Sequence, residues 1–124
     1  MVIEDEWIIQ QGEIYWTDLG APRASEPGYR RPGVIVQGNF FNRSRIATTV
    51  ICTLSSQLLL ANAPGNILLN PREGSLPQQS VVIISQIFTI DKTQLEEQIG
   101  TLSRSRIKQI LDSLRMLTEI DAAE

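Results

Sequence analysis

The apolar and polar positions of this 124-residue chain alternate in short runs until its last quarter, where the period lengthens. Ile14, Tyr15, Trp16, Thr17, Asp18 and Leu19 have the aromatic and branched content of a strand opened by Gly12. Residues 20–32 hold three prolines and two glycines and read as a loop. Val34, Ile35 and Val36 form a short buried strand stopped by Gly38 and Asn39, and residues 48–54 are a second β-branched run. Between 61 and 79, turns at Pro64-Gly65, Pro71 and Pro77 frame a strand at Asn66, Ile67, Leu68 and Leu69. Residues 81–84 and 87–90 make the last strand region, with Ser85 and Gln86 placed for a bulge or bend.

Beyond residue 90 the period changes. Asp91 is a good N-cap for a short helix over 92–98, closed by Gly100. Ser103 then caps a longer helix, about 103–117, in which Ile107, Ile110, Leu111, Leu114 and Leu117 fall on one stripe. Many short strands followed by one amphipathic helix predict a mainly β, α+β fold: a small barrel or half-barrel with the helix packed on it. The length suits a single domain covering residues 1–124, and neither a repeat nor a low-complexity linker divides it.

Composition narrows the setting. The chain starts acidic, unlike a secretory leader, and no apolar stretch approaches the roughly 20 residues that span a bilayer. Cys52 is the sole cysteine, which excludes an intrachain disulfide and points to a reducing, cytoplasmic compartment. A net charge of -3 argues against a protein that coats duplex DNA electrostatically. The charge is uneven, however. Residues 21–46 carry five arginines against the single acid Glu26, about +4, which leaves about -7 for the rest. A solvated loop would explain that excess; so would a local anion site.

Exclusion shortens the list of chemistries. With no histidine there is no Ser-His-Asp triad, no Cys-His pair and no pair of catalytic histidines, and zinc is equally unsupported. The carboxylates show no Mg²⁺ or Ca²⁺ spacing, and no glycine-rich phosphate loop is present. An enzyme built from this chain must use Arg, Ser/Thr, Asp/Glu and backbone groups, with no cofactor. RNA cleavage suits that toolkit, because the substrate's own 2′-hydroxyl is the nucleophile. The protein then needs only to align the chain, move protons and stabilise charge building on the phosphate. Arginine's planar fork matches a phosphate bidentately.

The residues carry a resemblance. Gly12-Glu13-Ile14-Tyr15-Trp16-Thr17-Asp18-Leu19, then Ser25-Glu26-Pro27-Gly28-Tyr29-Arg30-Arg31-Pro32, resembles the N-terminal signature of the MazF/PemK (Kid-like) toxin family. Ile35-Val36-Gln37, Asn42-Arg43-Ser44, Leu54-Ser55-Ser56-Gln57 and Ser80-Val81 through Gln86-Ile87 to Lys92 continue it in order, from about residue 12 to 117. The resemblance implies a PemK-like fold, an SH3-like β-barrel with a C-terminal helix, assembled as a homodimer. It also implies metal-independent, sequence-specific cleavage of single-stranded RNA, above all mRNA, with arrest of translation and growth, and inhibition by a cognate antitoxin.

By that resemblance the catalytic arginine is Arg31, which precedes the proline at the second strand. The catalytic threonine of the third strand is replaced by Ser55, which keeps the hydroxyl and loses the methyl that restricts χ1. Glu26 is placed to accept the 2′-hydroxyl proton or to pair with an arginine. Arg23, Arg30 and Arg43 are candidates for phosphate contacts and Gln86 for a base edge, or each for surface or loop bracing; Ser56, the neighbouring alternative to Ser55, and Gln57 are further candidates for RNA contacts. Trp16 and Tyr15 read as core. Ala24 stands in a loop position usually held by glycine, and Phe88 stands where many relatives have arginine, as a core or interface residue. The antitoxin tail should be acidic and partly disordered, competing with RNA for the arginines. Duplex DNA would be met only through that antitoxin. The rival readings are a gyrase poison of the CcdB kind and a catalytically inactive binding module of the same fold.

Overall fold

The computed structural model describes residues 8–21, 24 and 29–121. Six strands form one antiparallel sheet: β1 (Glu13–Asp18), β2 (Arg30–Ile35), β3 (Thr48–Ser55), β4 (Ile67–Leu68), β5 (Val81–Asp91) and β6 (Leu95–Thr101), in the order β4-β5-β3-β2-β1-β6. A short helix α1 (Asn39–Asn42) links β2 to β3, and α2 (Arg104–Leu117) follows β6. The expected mainly β fold with a C-terminal helix is what the chain adopts.

The central strands are buried on both faces, which is why their apolar runs are continuous rather than alternating. Ile14, Val34, Cys52, Leu54, Val82 and Ile84 face α2 and enclose Ile110, with Ile107 and Leu114 packed beside it. Tyr15, Ile35, Ile51, Ile90 and Leu95 pack on the opposite face with Ile9, and Leu19 and Phe88 border them. Leu111 and Leu117, expected on the same stripe of α2, remain 37% and 48% exposed at its margin. Ser103 caps α2, its side chain accepting from Arg106 N at 3.2 Å.

Two segments depart from the expected pattern. The helix expected over 92–98 is a single 3₁₀ turn, Lys92–Gln94, and the chain then becomes β6. The Asp91 cap is real: Thr93 N donates to Asp91 Oδ1 and Asp91 N donates to Gln94 Oε1. What overrides helix propensity is the open edge of β1, which pairs Tyr15 with Gln98 and Thr17 with Leu95 and so buries Leu95. The loop expected to run to residue 32 ends earlier, because β2 begins at Arg30. Pro32 is tolerated there: it pairs with Trp16 of β1, while pairing to β3 starts only at Gly33, so the missing N–H leaves no rung on that side unmade. The bulge expected at Ser85 and Gln86 is present. Cys52 pairs with Ile87 and Leu54 with Val82, so β5 carries extra residues between the two rungs.

One contact is backbone against backbone. A Cβ on Gly100 of β6 would lie 2.1 Å from the carbonyl oxygen of Gly74, itself left-handed at φ 65° in the 3₁₀ turn Glu73–Ser75. Replacing Gly100 with alanine must push the turn away from β6. Gly100→Ala is therefore expected to cost about 1–3 kcal/mol. Gly38→Ala, where nothing lies within 4 Å of the new methyl, should change stability by less than about 0.5 kcal/mol. Urea unfolding of both variants checks this; equal midpoints would contradict the contact.

Candidate active site

The β2–β3 ladder pairs Gly33 with Thr53, Val34 with Cys52 and Ile35 with Ile51. The same register carried two residues further sets Arg31 across from Ser55, the last residue of β3. Both side chains line one cleft of about 250 Å³. Its floor is the end of β3 (Leu54, Ser55, Ser56 and Gln57), one wall is Arg30, Arg31 and Pro32 with Trp16 behind them, and the other is Leu76, Pro77 and Gln78 with Ser80.

The backbone of Arg31 is fixed. It pairs with Thr17, whose fully buried hydroxyl donates to the Arg31 carbonyl at 2.8 Å. Ser55 Oγ accepts from Gln57 N at 3.1 Å, so its oxygen is anchored and its own proton can point into the cleft. A guanidinium and a hydroxyl that line one cleft at strand ends can together hold a tetrahedral anion.

Arg30 has a different place. Its guanidinium lies 4.3 Å over the Trp16 ring, its Nε meets Glu96 at 2.7 Å, and Nη2 stands 4.0 Å from Glu97. These contacts brace the indole wall of the cleft that Arg30 itself lines. With Arg30 and Glu96 about half exposed, the ion pair contributes little to stability. Trp16 is thus a half-buried wall, while Tyr15 is core as expected.

Gln86 is not among the residues lining the cleft. It sits in the β5 bulge, where its Oε1 accepts from the buried Thr53 hydroxyl. Arg43 lies at the wrong end of the sheet. It caps α1, at the far ends of β2 and β3 from Arg31 and Ser55, roughly 20 Å away at the rise of a strand. The motif around it is structural: buried Asn42 accepts from Gln37 and Thr49 and donates to the Gln37 carbonyl. Glu26 and Arg23 lie outside the described residues. Phe88 packs half-buried beside Ile51 and Ile90. Among the described residues no three carboxylate or thiol groups converge as a metal site. Burial pushes the Cys52 thiol up to about 12, far from a nucleophilic thiolate.

The wall at Leu76, Pro77 and Gln78 went unread in the sequence, which shows there only a proline turn. It is held from behind. Arg106 of α2 grips Glu73 through two bonds, Nε to Oε2 at 2.8 Å and Nη2 to Oε1 at 3.0 Å, and Asn70 N donates to the same carboxylate. The Arg106 hydrogen bond holds the Glu73 carboxyl below its ordinary value. Arg72, Gly74 and Ser75 all have positive φ, a chain course that such a clamp helps to maintain.

The fold is that of the MazF toxins. The solved structure of MazF from Deinococcus radiodurans matches with a TM-score of 0.76 at 17% identity, over 93% of this chain and 100% of that one. An endoribonuclease solved in complex with its cognate antitoxin, from a mycobacterial species, matches with a TM-score of 0.69 at 22% identity, over 94% and 98%. In sequence, residues 10–118 match the PemK-like, MazF-like toxins of type II toxin–antitoxin systems, and the chain belongs to that family. It is 36% identical over 113 residues to the endoribonuclease MazF2 of Mycobacterium bovis, spanning 91% of this chain and 99% of the relative. The endoribonuclease MazF6 of Mycobacterium tuberculosis matches to the same extent.

The Glu73–Arg106 pair gives a pH signature. A carboxyl whose folded pKa is depressed contributes stability that is complete above its ordinary value of 4.5 and is lost as pH falls through the folded value. Glu73→Gln should therefore be less stable than the parent near pH 7. The difference in urea midpoint should shrink below about pH 4.5. A difference that stays constant with pH would show that the pair contributes nothing through its charge.

Proposed function

We infer that this chain is a MazF-type endoribonuclease toxin whose cleft cuts single-stranded RNA at the Arg31–Ser55 pair. The observation that carries the reading is that pair itself: a permanent cation and an anchored hydroxyl set across from each other by one strand register. The 2′-hydroxyl of the substrate attacks the adjacent phosphorus and the 5′-oxygen of the next nucleotide leaves. The products are a 2′,3′-cyclic phosphate and a 5′-hydroxyl, with neither water nor metal consumed. Arg31 neutralises the charge that builds on the phosphoryl oxygens, and Ser55 donates a hydrogen bond to one of them. Glu26 is the nearest carboxylate in sequence for taking the 2′-hydroxyl proton. Ser56 and Gln57 extend the contact along the RNA.

The family supplies the biological frame: a homodimer in the cytoplasm, restrained by a cognate antitoxin and cutting short mRNA motifs when released. The antitoxin segment that blocks this cleft is acidic and partly disordered, since it must satisfy the same guanidinium that a phosphate would. Residues 1–124 act as one domain on this reading.

The purified protein, with EDTA present, should cleave a long single-stranded RNA to fragments ending in a cyclic phosphate. Arg31→Ala should lower the rate about 10²–10³-fold while remaining folded, the scale for removing one donor to a developing oxyanion. Ser55→Ala should slow cleavage, whereas Ser55→Thr should retain it. A folded Arg31→Ala variant that cuts at the parent rate would overturn the assignment.

A further inference from the structure

We propose that Gln78 is a specificity-determining residue that reads a nucleobase next to the scissile phosphate. The inference rests on the ribonuclease reading and adds to it a wall of the cleft. In the sheet order, β3 lies between β2 and β5. Ser55 pairs with Val81, so the segment entering β5 flanks the end of β3 on the side opposite Arg31. Two inter-strand spacings, about 9–10 Å, separate the β2 and β5 sides of the cleft. A phosphate held between Arg31 and Ser55 would therefore leave its neighbouring base pointing along or across β3, within reach of residues 76–78.

That wall is built rigidly, and it presents one unengaged polar side chain. Leu76 is buried in the core, and Ser80 Oγ donates to the Gln78 carbonyl at 2.9 Å. The segment is tied at its start by the Glu73–Arg106 clamp. The Gln78 carboxamide itself is exposed and makes no hydrogen bond to the described residues. Gln86, by contrast, has its amide oxygen engaged by Thr53. A carboxamide offers a donor and an acceptor side by side, and in single-stranded RNA the edges of an unstacked base are open to such a group. A fixed backbone carrying that group over a narrow cleft is how a base preference is enforced without a conformational change.

Fragment ends from one long RNA give the motif cut by the full chain. Short RNAs carrying that motif, each substituted at one position, are then cleaved by the parent, Gln78→Ala and Gln78→Glu. Loss of a bidentate base contact is worth about 5- to 150-fold in discrimination. Gln78→Ala should lose preference of that size at one position beside the cut and keep it elsewhere, while Gln78→Glu should change which base is preferred there. Thermal unfolding should be unaltered in both, since the side chain is exposed. A Gln78→Ala variant with the parent preference at every position, or one slowed equally on all substrates, overturns the inference and leaves the ribonuclease reading intact. A parent protein that cuts none of the RNAs overturns both.

Discussion

Gly33 has no side chain, and a Cβ there would lie 2.8 Å from Ile51 Cδ1 and 3.3 Å from Thr17 Cγ2. That absence lets Ile51 and Thr17 close over the β2 backbone, and it holds Gly33 opposite Thr53 in the ladder. A slip of one residue would exchange the two faces of β2, burying what now faces the cleft. Because both faces of these strands are core, the register is doubly specified: Val34 answers to the α2 side and Ile35 to the other. The placement of side chains at the strand ends inherits that precision. Arg31 and Ser55 line one cleft because the residues beneath them fix the register of β2 on β3.

The arginine cluster shows how little a charge count in sequence says about charge in space. Of the five arginines in residues 21–46, Arg30 and Arg31 border the cleft, Arg30 lying across Trp16 against Glu96. Arg43 and Arg45 follow α1 at the opposite end of the sheet, and Arg23 falls outside the described residues. Arg30 and Arg31 both border the cleft, but neighbours on a strand point to opposite faces, so Arg31 shares a face with Ser55 while Arg30 shares one with Trp16. Arg30 gains a ring and a carboxylate, and with them it stiffens one wall of the cleft.

Much of this was legible in the chain itself. The runs at 14–19, 34–36, 48–54 and 81–90 became strands, and the Ser85-Gln86 interruption became the bulge, because branched apolar residues bounded by turns leave few other solutions. The α2 cap at Ser103 was equally readable. What failed were segments decided by partners distant in sequence. Residues 95–101 carry a pattern open to helix or strand, and the bare edge of β1 settled it. At the site, Arg31 and Ser55 came from motif and order, but the wall at 76–78 did not. Its place depends on Arg106 gripping Glu73 from another element, and no local pattern encodes a contact spanning 33 residues.

Serine at position 55 is where this chain departs from the threonine that its family resemblance implies, and the structure shows what holds its hydroxyl in place. Threonine's methyl restricts χ1 by crowding, so that its hydroxyl is aimed before the substrate arrives. Ser55 lacks that restriction, but Gln57 N donates to its Oγ at 3.1 Å and favours the rotamer that keeps the bond. The turn after β3 thus supplies through a hydrogen bond part of the orientation that a methyl group supplies through sterics. Such a bond is worth about 0.5–1.5 kcal/mol net, enough to bias a three-fold rotor strongly toward one well. Orientation of the Ser55 hydroxyl accordingly passes from the side chain to the backbone of the segment that follows it, and Gln57 acts on it through its amide nitrogen, irrespective of its side chain.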